Sequence, residues 1–155
     1  MERLLAVALT VGAFLWTSAL LAAPVLSARH AAPVFVAAVH GAGGLVCHQR
    51  PERSFHVEGA QLPVCARCSG LYLSGTLGAV AAWIGFARSP RRARVLLALA
   101  ALPTGITFAA EVAGFGLPSN AVRAIAALPL GGAAGWLFVR MLRAESAETT
   151  CAMIS

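Results

Sequence analysis

Residues able to do chemistry crowd into one stretch, Cys47 to Tyr72, CHQRPERSFHVEGAQLPVCARCSGLY. It holds three of the four cysteines, two of the four histidines and three of the twelve arginines. Cys65-Ala-Arg-Cys68 is a C-x-x-C, and Cys47-His48 lies far enough upstream to fold back onto it, as metal knuckles require of their second ligand pair. A tetrahedral zinc ion takes four N or S ligands, which Cys47, Cys65 and Cys68 with His48 supply within one loop. His56 is the alternative fourth ligand, since adjacent residues such as Cys47 and His48 share one metal only over a bent backbone. The same cysteines suit a second chemistry, a Cys65/Cys68 pair cycling between dithiol and disulfide. A helix starting just after the motif and the Arg67 cation inside it would both lower a thiol pKa. A plain structural disulfide is the third reading. Three cysteines in an oxidising compartment leave one unpaired after a disulfide, whereas a metal site uses all three, so the odd count favours metal. A c-type haem is excluded, because Ser69 and not histidine follows Cys68. Cys151 stands alone and is read as incidental.

The elements that hold this stretch must be membrane helices. With 59% hydrophobic and 12% charged residues and a mean hydropathy of +0.77, a chain of 155 residues cannot bury its apolar surface in one soluble core. Lipid is the expected partner. The net charge of +6 does not argue for nucleic acid, because the arginines sit at the ends of apolar runs and form no face interleaved with aromatics. Spans are expected at about 4–26, 69–87, 95–114 and 121–142, around a Cys/His loop at 45–68 and before a short, frayed polar tail at 144–155. The first run is too long for a signal-peptide core and lacks a good cleavage site, so it is read as a retained helix. Residues 31–46, broken by Pro33, His40 and three glycines, are expected to lie at the interface or to re-enter partway. His30 and His40 read there as interfacial polar tips. Gly70, Ser74, Gly78 and Ala82, and Gly131-x-x-x-Gly135, offer small-residue faces for close helix packing.

Arg88, Arg91, Arg92 and Arg94 form the densest charge and place their loop in the cytoplasm, with the C-terminal tail. The cysteine loop is then extracytoplasmic. Arg29, Arg50, Arg53, Arg67 and Arg123 fall on that side, against the topological bias, and need another reason, such as pairing with acidic groups or binding an anion; Arg53, Arg67 and Arg123 are the anion or substrate candidates, and Asn120 opens the last helix with Arg123 at the same level. Glu111, the only acidic residue within an expected span, sits about 24 Å along its helix, level with the cysteine loop. Thr104, Thr107 and Glu111 share one helical face. A buried carboxylate beside a metal could serve as a catalytic base, so Glu111 is the candidate catalytic residue. The plainer reading is an ion pair with Arg123.

Cys47-His48-Gln49, Pro51-Glu52-Arg53-Ser54-Phe55, Gly59, Pro63-Val64-Cys65-Ala66-Arg67-Cys68 and Gly70-x-Tyr72 resemble the signature of a family of small prokaryotic membrane proteins, the domain of unknown function 2085. The resemblance is specific over about residues 45–75 and elsewhere is a pattern of spans. It implies a membrane location and an important motif, and no activity. Where that family carries an Asp-Gly pair and a Gln in its third span, this chain has Thr107, Phe108 and Glu111. The expectation is an all-α membrane protein, a four-helix transmembrane bundle with an extracytoplasmic Cys/His zinc-type site. It would be a metal-dependent membrane enzyme or a metal-handling protein; alternatives are a thiol-disulfide oxidoreductase and a non-catalytic protein whose metal staples a loop.

Overall fold

The computed structural model describes residues 2–84, 92–116 and 118–154, with side chains described as far as Ala144. Among the described residues, α1 (Glu2–Ala28) and α2 (Pro33–Gly44) lead into a 3-10 turn (Pro51–Arg53), then β1 (Ser54–Val57) and β2 (Ala60–Cys65). The helices α3 (Ala66–Ala81), α4 (Ala93–Val112) and α5 (Asn120–Ile154) follow. α1, α4 and the first 25 residues of α5 are long and apolar enough to cross a membrane. Only 11% of the apolar window of α1 and 6% of that of α4 is buried, so Phe14, Leu15, Leu102 and Ile106 stand out from the molecule. Faces this apolar need lipid around them, and a helix can cross lipid because it satisfies its own backbone groups.

The span expected at 69–87 is shorter than its sequence suggested. α3 starts at Ala66, directly after the strand, and ends at Ala81, which makes 16 residues or about 24 Å. Trp83 and Ile84 close it with N–H bonds to Val80 and Ala81, three residues back, a tight last turn. Residues 85–91, with Arg88 and Arg91, lie outside the described residues; Arg92 caps α4 and Arg94 is in its first turn. Thus three full-length candidate spans lie among the described residues, with α3 as a shorter central helix.

α3 packs most extensively against α5, and α4 and α1 pack on that pair. The small-residue faces explain the closeness. A Cβ on Gly70 would meet the backbone of Ala124, one on Gly78 the carbonyl of Gly132, and one on Gly135 the carbonyl of Gly75. Small side chains let two backbones approach where lipid supplies no hydrophobic drive. Across the other face, Thr17 and Thr76 hydroxyls meet at 2.8 Å and the Trp83 indole donates to Thr10 Oγ1 at 3.0 Å.

The fold is mostly helical, as expected, and the loop at 45–68 adds one antiparallel hairpin to it. Val57 pairs with Ala60, leaving Glu58-Gly59 as a two-residue turn in which both residues have positive φ, the type that matches strand twist. The tail expected as frayed from 144 continues α5 as helix to Ile154; the Cys151 side chain lies outside the described residues. α2, at 12 residues, spans about 18 Å and is too short to cross a bilayer core of about 30 Å.

Candidate metal centre

Three elements each deliver one cysteine. β2 ends in Cys65, which caps α3, and Cys68 follows in the first turn of that helix. Cys47 comes from the end of α2, where its N–H bonds the Gly43 carbonyl at 2.9 Å. A side chain at Gly43 would strike the Pro63 carbonyl, so glycine lets the end of α2 lie against β2. Gln49, held at φ 47°, pins the two together: its amide donates to the carbonyls of His40 at 2.7 Å and Pro63 at 2.6 Å. Its own carbonyl accepts from Gln61 Nε2 at 2.6 Å. The Cys65 N–H then donates to Cys47 Sγ at 3.2 Å.

The outcome is a cluster of Cys47, Cys65 and Cys68 whose sulfur atoms all lie within 4.8 Å of one another. Sulfurs on a tetrahedral zinc, at about 2.3 Å from the metal, stand about 3.8 Å apart, so the cluster is of the right size. The thiol environments are unequal. Cys65 is drawn down from the usual thiol range to about 5, chiefly because the Cys68 thiol donates to it. Burial opposes this, while the Cys68 N–H, the Cys47 thiol and the Arg67 N–H add to it. A thiolate is therefore favoured where a helix begins. Cys47 is buried and packs with Leu20, Ala23, Val39 and Val64.

The histidines do not join the sulfurs. His48 is exposed and its ring nitrogens lie outside the three-thiol cluster, although it lines the same cavity. His56 is exposed on β1. His30 and His40 line a separate cavity between α1 and α2, and the His40 ring pairs with the Val36 carbonyl of its own helix.

The cavity beside the sulfurs has a volume of about 410 Å³. Its walls include all three cysteines, His48, Arg50, Arg53 and Arg67, with Leu71 and Phe108 as apolar lining. Behind it, Glu111 gathers the three arginines singled out from the sequence. Its Oε1 lies 3.0 Å from Arg53 and 3.1 Å from Arg123, and its Oε2 lies 3.3 Å from Arg67. The Glu111 side chain is 5% exposed. Arg123 also donates to Asn120 Oδ1 at 2.9 Å, and Asn120 Nδ2 reaches the Ser54 carbonyl at 3.0 Å, which ties α5 to the hairpin. The Arg67 guanidinium lies over the Phe108 ring at 5.5 Å. Thr104 turns to the Ala126 carbonyl on α5 at 2.8 Å, so its helical face packs inward with Glu111.

Sequence reasoning missed Gln49 and Gln61 as groups that fix the site. Gln49 stood beside Cys47-His48 in the motif, the one signal that could have singled it out.

The family model for a predicted membrane protein, DUF2085, matches residues 47–137, which begin at Cys47 and run through the cavity, Glu111 and the first half of α5. This chain belongs to that family. An uncharacterized protein of Methanothermobacter thermautotrophicus is 31% identical over 86 residues, covering 56% of this chain and 78% of the relative. An uncharacterized protein of Methanocaldococcus jannaschii is 47% identical over 36 residues, 23% of each chain. No solved structure gives a significant match. The family's description, a predicted membrane protein, agrees with the three long apolar helices, and the three clustered cysteines could hold a metal ion.

Proposed function

We propose that this is a membrane metal-thiolate protein in which Cys47, Cys65 and Cys68 hold one zinc-type ion on the extracytoplasmic side. The observation that carries the reading is the approach of three thiols, from three separate elements, to within 4.8 Å. A redox C-x-x-C needs two sulfurs; a third at the same distance has a use in a metal site. Soft thiolates suit zinc and exclude magnesium or calcium as resident ions. His48, on the wall of the same cavity, is the first candidate to complete the set, and His56, exposed on β1 and absent from that wall, is the weaker one. When bound, such an ion would act as a Lewis acid toward a molecule in the cavity, which makes a metal-dependent enzyme or a metal-handling protein the functional class.

Glu111 fits a positioning role better than the catalytic one. Arg67 and Arg123 each donate to one of its oxygens and Arg53 lies 3.0 Å away, an arrangement that suits an anchor for three cations. Its task is to orient Arg53, Arg67 and Arg123. The membrane bundle is read as four crossing helices, α1, α4 and α5 with the shorter α3 at their centre, which puts the arginine-rich segment before α4 and the C-terminal tail in the cytoplasm and the cysteine loop on the other side.

One observation favours a second reading. The depressed pKa of Cys65, about 5, is what a thiol-disulfide oxidoreductase asks of its attacking cysteine. Single substitutions separate the two. Under the metal reading Cys47→Ser strips as much metal as Cys65→Ser, and Cys151→Ser strips none. Full metal in Cys47→Ser with loss in Cys65→Ser removes Cys47 from the ligand set and favours the redox reading.

A further inference from the structure

The arginines outnumber the acid that holds them. Arg53, Arg67 and Arg123 converge on the single carboxylate of Glu111, and Arg50 adds a fourth guanidinium to the cavity wall. Four positive charges against one negative leave three. A divalent ion on three thiolates carries one net negative charge and takes back one more, so two remain uncompensated around a half-enclosed cavity. Charge of one sign at a membrane surface is costly without a partner. The hydrogen bonding is short in the same sense. Each of the three guanidiniums reaches Glu111 through one terminal nitrogen, and the Nε–H groups of Arg53 and Arg67, which line the cavity, are buried without an acceptor, as are those of Arg123 and, at the far end of the bundle, Arg140. Arg123 is itself 3% exposed. A guanidinium presents five N–H donors in a planar fork, and a tetrahedral oxyanion offers acceptors to several forks at once.

We infer that the cavity beside the three cysteines binds a phosphate group, held by Arg50, Arg53 and Arg67 against the metal-thiolate wall. A phosphate monoester carries about −1.5 to −2 charge at neutral pH, which matches the two uncompensated positive charges better than a carboxylate does. The same chemistry is offered by a free phosphate and by a phospholipid head group. Leu71, which lines this cavity, also lines a second and largely apolar one among α1, α3 and α5. The inference deepens the metal reading and rests on it for the choice of this cavity as the functional one.

The test uses the full-length protein purified in detergent, with metal content measured on every sample. Binding of radiolabelled inorganic phosphate is measured by equilibrium dialysis. Capture of phosphatidic acid against phosphatidylcholine is measured after transfer to nanodiscs. Arg67→Gln should weaken binding about tenfold or more, the cost of one charge-assisted hydrogen bond. Arg50→Gln tests the same site without touching the Glu111 cluster, and so remains informative if Arg67→Gln folds poorly. Arg140→Gln, at the far end beside Trp136, should leave binding unchanged. Phosphate binding that competes with the lipid, or selective capture of either one, supports the inference and names the source. It is overturned if neither binds more tightly than the chloride and phosphatidylcholine controls, or if Arg50→Gln and Arg67→Gln bind as the wild type does. Metal with no phosphate binding overturns this inference and leaves the metal reading standing. Arginine-dependent binding in metal-free wild-type protein does the reverse.

Discussion

Glu111→Gln is the sharpest single perturbation, because it keeps shape and removes the one negative charge on which three guanidiniums converge. The Glu111 side chain is 5% exposed and that of Arg123 4%, so this pair counts as buried. Removing one member of a buried pair costs about 3–5 kcal/mol, since the other charge is left unpaired. The Arg67 side chain is 17% exposed and contributes less. Arg53, at 35%, is open enough that solvent screens it, and its share falls toward the surface value of about 0–1 kcal/mol. The expected loss for Glu111→Gln is therefore about 3 kcal/mol, with Arg123→Gln close behind and Arg53→Gln below about 1 kcal/mol. At about 2–4 °C per kcal/mol for a chain of this size, the unfolding midpoint should fall by about 10 °C. Tryptophan fluorescence of the protein in detergent reads the transition through Trp16, Trp83 and Trp136. The double variant Glu111→Gln/Arg123→Gln should lose less than the sum of the single losses, because the two share one interaction. A Glu111→Gln variant within about 0.5 kcal/mol of wild type, or additive losses in the double variant, would refute the idea that this carboxylate anchors α4 and α5 to the hairpin.

Two other predictions concern the cysteine loop. Reporter fusions at Ser89 and Gly59 should report opposite sides of the membrane, with Ser89 cytoplasmic; the same side for both would break the topology. In metal-free, reduced protein Cys65 should be the first cysteine alkylated. With its pKa lowered to about 5, the thiolate persists above that pH and is lost below it, so the rate should be nearly flat from about pH 6 to 8 and fall below about pH 5. An alkylation rate rising steadily through pH 8 would show an ordinary thiol.

The sequence was most legible where chemistry constrains spacing. Cys47, Cys65 and Cys68 could be grouped from their separation alone, because a C-x-x-C at the start of a helix and a distant cysteine have few other joint uses. Glu111 could be placed near Arg53 and Arg123 because helical rise fixes depth, and the structure adds Arg67 to them. The hairpin was not legible. Its turn is Glu58-Gly59, lacking the Asn or Asp that usually marks positive φ, and Pro63 within β2 argued against a strand. The length of α3 was hidden for a related reason: the apolar run suggested a start at Ser69, whereas Cys65 caps the helix and the turn at Trp83 and Ile84 closes it. The roles of Gln49, Gln61 and Asn120 depend on long-range carbonyl partners, which spacing does not encode. The histidines were the hardest to place: adjacency put His48 with Cys47, and in the structure it is exposed on the wall of the same cavity, outside the three-thiol cluster.

The central claim is that three thiols hold one metal. Elemental analysis of the purified protein, with a thiol count before and after denaturation and X-ray absorption at the metal edge, tests it most directly. The expected result is one zinc per chain, no disulfide among Cys47, Cys65 and Cys68, and three sulfur scatterers at about 2.3 Å. Metal-free protein with an exchangeable Cys65–Cys68 disulfide would contradict the account.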